Sequence, residues 1–87
     1  ALMISVARDT PGGEETLVFF DDDRYGMGDE EQIALLAERL KARMAQNGAR
    51  ELLLMADKRV PHGDVVYFVN VAREAGARRV NVSEKPD

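Results

Sequence analysis

The 87-residue chain has no cysteine, no tryptophan, a single histidine and only three prolines. Without cysteine there is no disulfide, no thiolate metal site and no thiol nucleophile, and cysteine usage gives no signal of compartment. No apolar run approaches the roughly 20 residues needed to span a bilayer. The first residues do not form a basic segment followed by a long apolar stretch, so no signal peptide is read there. These residues are expected to form a soluble domain. A basic excess is also missing, since the net charge is −4. Nucleic acid is therefore an unexpected partner, because phosphate binding needs a concentrated basic surface.

Charge is unevenly spread. Residues 1–31 hold nine acids against Arg8 and Arg24, whereas residues 32–87 hold ten Lys/Arg against seven acids. An acidic first third thus joins a mildly basic remainder. The length suits one domain over residues 1–87, with a core that a dimer would help to complete.

Apolar periodicity places the elements. Leu2, Ile4 and Val6 alternate with Met3, Ser5 and Ala7, the period of a strand. Asp9-Thr10-Pro11-Gly12-Gly13 has the composition of a hairpin loop. Residues 15–20 supply a returning strand whose apolar run predicts burial on both faces, or a second face covered by a partner. A polar connection follows from Asp21 to Gly28, with a short extended piece over 24–27. Asp29 then reads as a helix N-cap, with Gln32 completing a capping box and Glu30 and Glu31 in the first turn. Ile33, Leu36, Ala37, Leu40 and Met44 form one apolar stripe, and Asn47-Gly48 is the stop signal. Residues 51–56 read as an interior strand covered on both sides. Pro61 and Gly63 mark the entry to a second helix with Val65, Val66, Val69 and Ala72 facing inward and Gly76 at its end. Residues 79–83 make the last strand, and residues 84–87 a frayed tail. The order β-β-α-β-α-β predicts an α/β (α+β) domain, a mixed sheet with two helices mainly on one face.

Candidate sites are few. Asp21, Asp22 and Asp23 offer clustered carboxylates to a hard cation, as a metal-dependent hydrolase would require. They lack calcium-loop spacing, and a solvated turn is the favoured reading. His62 has no second histidine to share a zinc ion. Gly26-Met27-Gly28 is too short for a phosphate-binding fingerprint and follows three aspartates. Asp57, Lys58 and Arg59 sit at the carboxyl end of an interior strand, where open α/β sheets often bind ligands. With Arg78 and Arg79 they offer the charges for part of a basic rim that would meet a carboxylated partner. The plainer reading is a charged corner in which Asp57 fixes the turn.

The ordered set of apolar strand, Ala56-Asp57, Val60, Val65-Val66, Ala75-Gly76 and the strand around Val80 and Val82 resembles the C-terminal domain of the ExbD/TolR family. The match is closest over the last 35 or so residues. His62 departs from it, standing where relatives often carry tyrosine, and the Asp21 to Asp23 triplet is not a family hallmark. The resemblance implies a non-enzymatic periplasmic domain of a proton-motive-force-driven motor, with no cofactor and no catalytic residue. It implies a homodimer, anchored in the bacterial inner membrane by one N-terminal helix preceding these residues. That helix would sit in a pentamer like ExbB or TolQ. TolR-like members hold peptidoglycan, and ExbD-like members engage TonB/TolA-like proteins, for which strand addition at a sheet edge is suited. Asp57, Lys58, Arg59 and His62 are the expected contact residues. Ala56, Val60, Val65, Val66 and Gly76 carry the motif structurally. The alternative is a small α/β ligand-binding regulatory module.

Overall fold

The computed structural model describes residues 2–8, 15–48 and 50–85. Among the described residues five strands form one sheet, in chain order β1 (Leu2–Arg8), β2 (Thr16–Phe20), β3 (Asp23–Gly26), β4 (Glu51–Asp57) and β5 (Arg79–Lys85). Helix α1 (Glu30–Asn47) precedes β4, and α2 (His62–Glu74) joins β4 to β5. The spatial order is β3-β2-β1-β4-β5. β1 pairs antiparallel with β2 and parallel with β4, and β5 runs parallel to β4, so the sheet is mixed as expected. The short extended piece after the aspartates is a true strand, β3, paired antiparallel with β2. The proposed loop at residues 9–13 lies outside the described residues.

Alternation decides which face of each strand is covered. Leu2, Ile4 and Val6 of β1, Val18 and Phe20 of β2, and Leu52 and Leu54 of β4 share one core cluster with both helices. α1 contributes the predicted stripe of Ile33, Leu36, Leu40 and Met44, and α2 contributes Phe68 and Ala72. Both helices therefore cover a single face of the sheet. The expectation that β4 is covered on both sides fails: Leu53 and Met55 are only half-buried, because among the described residues no helix crosses their face. On the same open face Phe19 and Met3 are 40% and 62% exposed.

Local chemistry explains the ends of α1. Asp29 Oδ1 accepts hydrogen bonds from the N–H groups of Glu31 (3.0 Å) and Gln32 (3.2 Å), satisfying first-turn donors. The Gln32 side chain does not close the reciprocal box. Its Nε2 donates to Asp29 Oδ2 at 3.1 Å, while its Oε1 accepts from Gly26 N–H at 2.6 Å, tying the helix start to β3. Gly48, at φ 70°, ends the helix with its N–H on the Met44 carbonyl.

The aspartate triplet is a structural hairpin. Asp21 and Asp22 both take positive φ (55° and 70°), giving the two-residue turn whose twist suits antiparallel strands. Arg43 pairs with Asp21 and lies over the Phe20 ring. Arg39 donates to Asp23 (2.7 Å) and to the Tyr25 hydroxyl. The Arg39 guanidinium is consequently raised above its ordinary pKa, first by the Tyr25 hydrogen bond and less by Asp23. Two of the three carboxylates thus serve to hold the β2–β3 hairpin against α1.

In α2 the inward face differs from the expectation. Val65, Phe68, Val69 and Ala72 follow helical spacing toward the core, with Phe68 fully buried, whereas Val66 is 45% exposed. Val66 lies one residue, about 100°, round from Val65 and so turns toward the outer edge of the sheet.

Candidate functional site

Asp57 is the last residue of β4, and its side chain builds the corner that follows. Oδ1 accepts from the Arg59 backbone N–H at 2.9 Å and from Arg59 Nε at 3.2 Å, and Oδ2 accepts from Arg59 Nη2 at 3.0 Å. The Val60 N–H closes the turn on the Asp57 carbonyl at 2.9 Å. This is the turn-fixing role read as the plain alternative for Asp57. Arg8, at the end of β1, donates from Nε to the Arg59 carbonyl at 3.4 Å, so the corner is held from a second strand. Val60 is pulled in and only 7% exposed, while Lys58 and His62 remain exposed.

The entry to α2 is held from the opposite side. Thr16 on β2 is buried, and its Oγ1 donates to Asp64 Oδ2 at 2.6 Å. Asp64 lies in the first turn of α2, where a carboxylate also favours the positive end of the helix dipole.

Between α2 and β5 this arrangement opens a groove of about 370 Å³. Its floor and walls are apolar, formed by Ala56, Val60, Val65, Val66, Val69 and Val82. Asp57, Lys58, His62, Asn70 and Glu84 line the polar remainder. Val82 is 51% exposed although it points to the helix side of the sheet, because α2 does not reach over the outermost strand. Of the residues singled out from sequence, Ala56, Asp57, Lys58, Val60, His62, Val65 and Val66 meet here. Arg59 folds back onto Asp57 outside the groove, and Gly76 lies beyond the far end of α2. There it takes φ 117° and offers its carbonyl to Arg50 Nη1 at 3.3 Å. The groove's β5 side, Val82 and Glu84, escaped sequence reasoning. The signal was present: β5 continues to Lys85, so Glu84 and Lys85 pair with Ala56 and Asp57 rather than beginning a tail.

A single basic rim does not form. Arg79 is opposite Glu51 at the start of β4, whereas Asp57 ends it. At about 3.3 Å per residue the six steps between them separate the two corners by roughly 20 Å. Arg78 and Arg79 instead join Arg50, Gly48 and Glu51 around a shallow depression at the opposite end of the sheet. Parallel pairing of β4 and β5 forces this, since it sends the start of β5 to the start of β4.

The groove can receive an extended or apolar chain beside an edge strand. Among the described residues it brings together no nucleophile, base and oxyanion donors. Compared with models of known protein families, the chain matches along residues 1–87 the family described as biopolymer transport protein ExbD/TolR. No curated protein matches it.

Proposed function

The chain belongs to the ExbD/TolR family of biopolymer transport proteins, and from that premise we propose that it is the periplasmic, partner-engaging domain of a proton-motive-force-driven inner-membrane motor. The family consists of transport stator proteins that are associated with the inner membrane and work with ExbB/TolQ and TonB/TolA partners. Among the described residues no helix is long and apolar enough to cross a membrane. In this reading the proton path and the ExbB/TolQ-like pentamer belong to an N-terminal anchor helix, and this domain acts as a non-enzymatic homodimer in the periplasm.

The observation that carries the reading is the apolar groove between α2 and the edge strand β5. It suits an extended segment of a TonB/TolA-like partner, whose main chain adds to the sheet edge while alternate side chains enter the groove. A titration of the isotope-labelled domain with such a segment should shift the amide signals of Val66, Val69 and Val82 first. Shifts confined to the opposite pole, around Arg50 and Arg78, would overturn it.

A second reading, contact with peptidoglycan, is favoured by Lys58 and Arg59, which stand exposed at the same corner. Co-sedimentation with isolated sacculi at low and moderate salt tests it. Saturable binding that is lost on Lys58→Glu with Arg59→Glu supports wall anchoring. Binding that survives both charge reversals removes this corner from the wall contact.

A further inference from the structure

Where β1, β4 and β5 begin, three arginines crowd one shallow depression: Arg50, Arg78 and Arg79, beside Gly48 and Glu51. The backbone fixes them there, because the Arg50 carbonyl accepts from the N–H groups of both Arg78 (2.8 Å) and Arg79 (3.3 Å). Arg50 donates from Nη1 to the Gly76 carbonyl at 3.3 Å, which offsets the negative end of α2. The other two have no comparable use. Arg79 stands 3.9 Å from Glu51 with both side chains exposed, a pair that contributes little. Arg78 is exposed, and among the described residues no ion pair engages it. Three guanidiniums against one carboxylate make a local basic excess in a chain whose net charge is −4. Like charges held together favour an anion between them, and the guanidinium fork matches phosphate oxygens in pairs.

Placement in the fold selects the anion. Parallel pairing sets Leu2, Leu52 and Val80 in one row, so β1 begins two strand spacings, about 10 Å, from the start of β5. In the reading above the anchor helix precedes β1, which turns this end of the sheet toward the bilayer. Met3 is 62% exposed at the same end, an apolar side chain of the kind that enters the boundary between headgroups and acyl chains. The acidic β2–β3 turn also lies at this end, with Asp22 exposed, but Asp21 and Asp23 are paired to Arg43 and Arg39. It is about 14–19 Å from β5 across the sheet, beyond a Debye length of about 8 Å at physiological salt.

We propose that the end of the sheet carrying Arg50, Arg78, Arg79 and Met3 is a membrane-contact surface, on which the arginines hold the phosphates of anionic lipid headgroups. This contact rests on the anchor-helix part of the reading above. It occupies neither the groove nor the outer side of β5. The mouth of the groove at Asp57 and His62 lies roughly 20 Å away along the sheet, so docking on lipid presents it outward to a partner segment. Attraction from a few arginines is weak for a free domain and becomes effective once a tether holds the domain beside the membrane.

Vesicles doped with a gadolinium-chelating lipid, mixed with the isotope-labelled domain, read the contact, since paramagnetic broadening reports even sparsely populated docked states. With phosphatidylglycerol vesicles at low salt, the amide signals of Met3, Arg50, Arg78 and Arg79 are expected to broaden first. Phosphatidylcholine vesicles should give no such pattern, and moderate salt should weaken it. Arg78→Gln and Arg79→Gln should each weaken the contact about fivefold, whereas Lys41→Gln, at an exposed position on α1, should leave it unchanged. All three positions are exposed, and circular dichroism melts confirm that each variant keeps the fold. Equal broadening on both lipids, broadening centred on Lys58 and His62, or a pattern that ignores both arginine changes overturns the proposal. So does the absence of broadening at any vesicle concentration. Saturable shifts of the same amides in inorganic phosphate, without broadening by vesicles, make the depression a free-anion site and overturn the membrane contact. Arginine-dependent co-sedimentation with sacculi, again without broadening by vesicles, gives it to the wall and overturns the contact too. Titration with a partner segment reads the groove separately. Groove shifts without vesicle contact remove this proposal and leave the motor reading standing.

Discussion

Thr16 on β2 donates a 2.6 Å hydrogen bond to Asp64 in the first turn of α2, across 48 residues of chain. The bond joins the acidic hairpin half of the sheet to the helix that walls the groove. Hydrogen bonds to a charged acceptor contribute about 1.5–3 kcal/mol, and Thr16 is buried. Thr16→Val keeps the shape of the side chain and removes the donor. It is expected to lower stability by about that amount in urea unfolding. Loss of the bond should also broaden the amide signals of the first turn of α2 more than those of α1.

Phe68 and Val66 give a sharper contrast than their neighbouring positions suggest. Phe68 is fully buried between α2 and the sheet, so Phe68→Ala is expected to cost about 3–5 kcal/mol, enough to unfold a domain of this size. Val66→Ser, at a position 45% exposed, should stay within about 0.5 kcal/mol in the monomer. Parallel denaturant titrations at low protein concentration check both.

Asp29 caps α1 with two backbone hydrogen bonds and also holds Gln32. Asp29→Ala is expected to cost about 1 kcal/mol, with Asp29→Asn less damaging because the amide oxygen still caps. Hydrogen exchange should show the added loss at Gly26, whose N–H depends on the Gln32 carbonyl being held in place.

Gly76 takes φ 117°, a conformation that side chains disfavour, and a Cβ there would stand 2.9 Å from Arg50 Nη1. The arginine tip can swing away, so backbone strain dominates, and Gly76→Ala should cost about 1–3 kcal/mol. Combining it with Arg50→Ala separates the two causes. Rescue by the double variant would assign the loss to the contact, whereas persistence, the expected result, assigns it to φ.

Much of this architecture was legible because it is local. The α1 stripe, its Asp29 cap and its Gly48 stop are set by residues within one or two turns of each other. Leu2, Ile4 and Val6 declare a half-buried strand by period alone. The corner at Asp57 was also legible, since a carboxylate that accepts from the N–H two residues on needs no distant partner. The family motif placed Ala56, Val60, Val65 and Val66 near one another for the same reason, as they span a single strand-to-helix connection.

Other features depended on contacts that composition and period do not encode. The sequence presents Asp21 and Asp23 as clustered acids; only the crossing of α1 over the hairpin turns them into partners of Arg43 and Arg39. It presents Arg79 and Arg59 as members of one basic stretch, yet parallel pairing of β4 and β5 sends them to opposite ends of the sheet. Val65 and Val66 look equally apolar on paper, and the position of α2 alone packs Val65 partly against the core and leaves Val66 beside an open edge. The amino-acid order by itself determined the elements, their caps and the corner, because those are governed by interactions a few residues long. The tertiary structure decided which charges meet, which apolar side chains stay uncovered and where a partner can bind, because those depend on the strand order and on how far each helix reaches across the sheet.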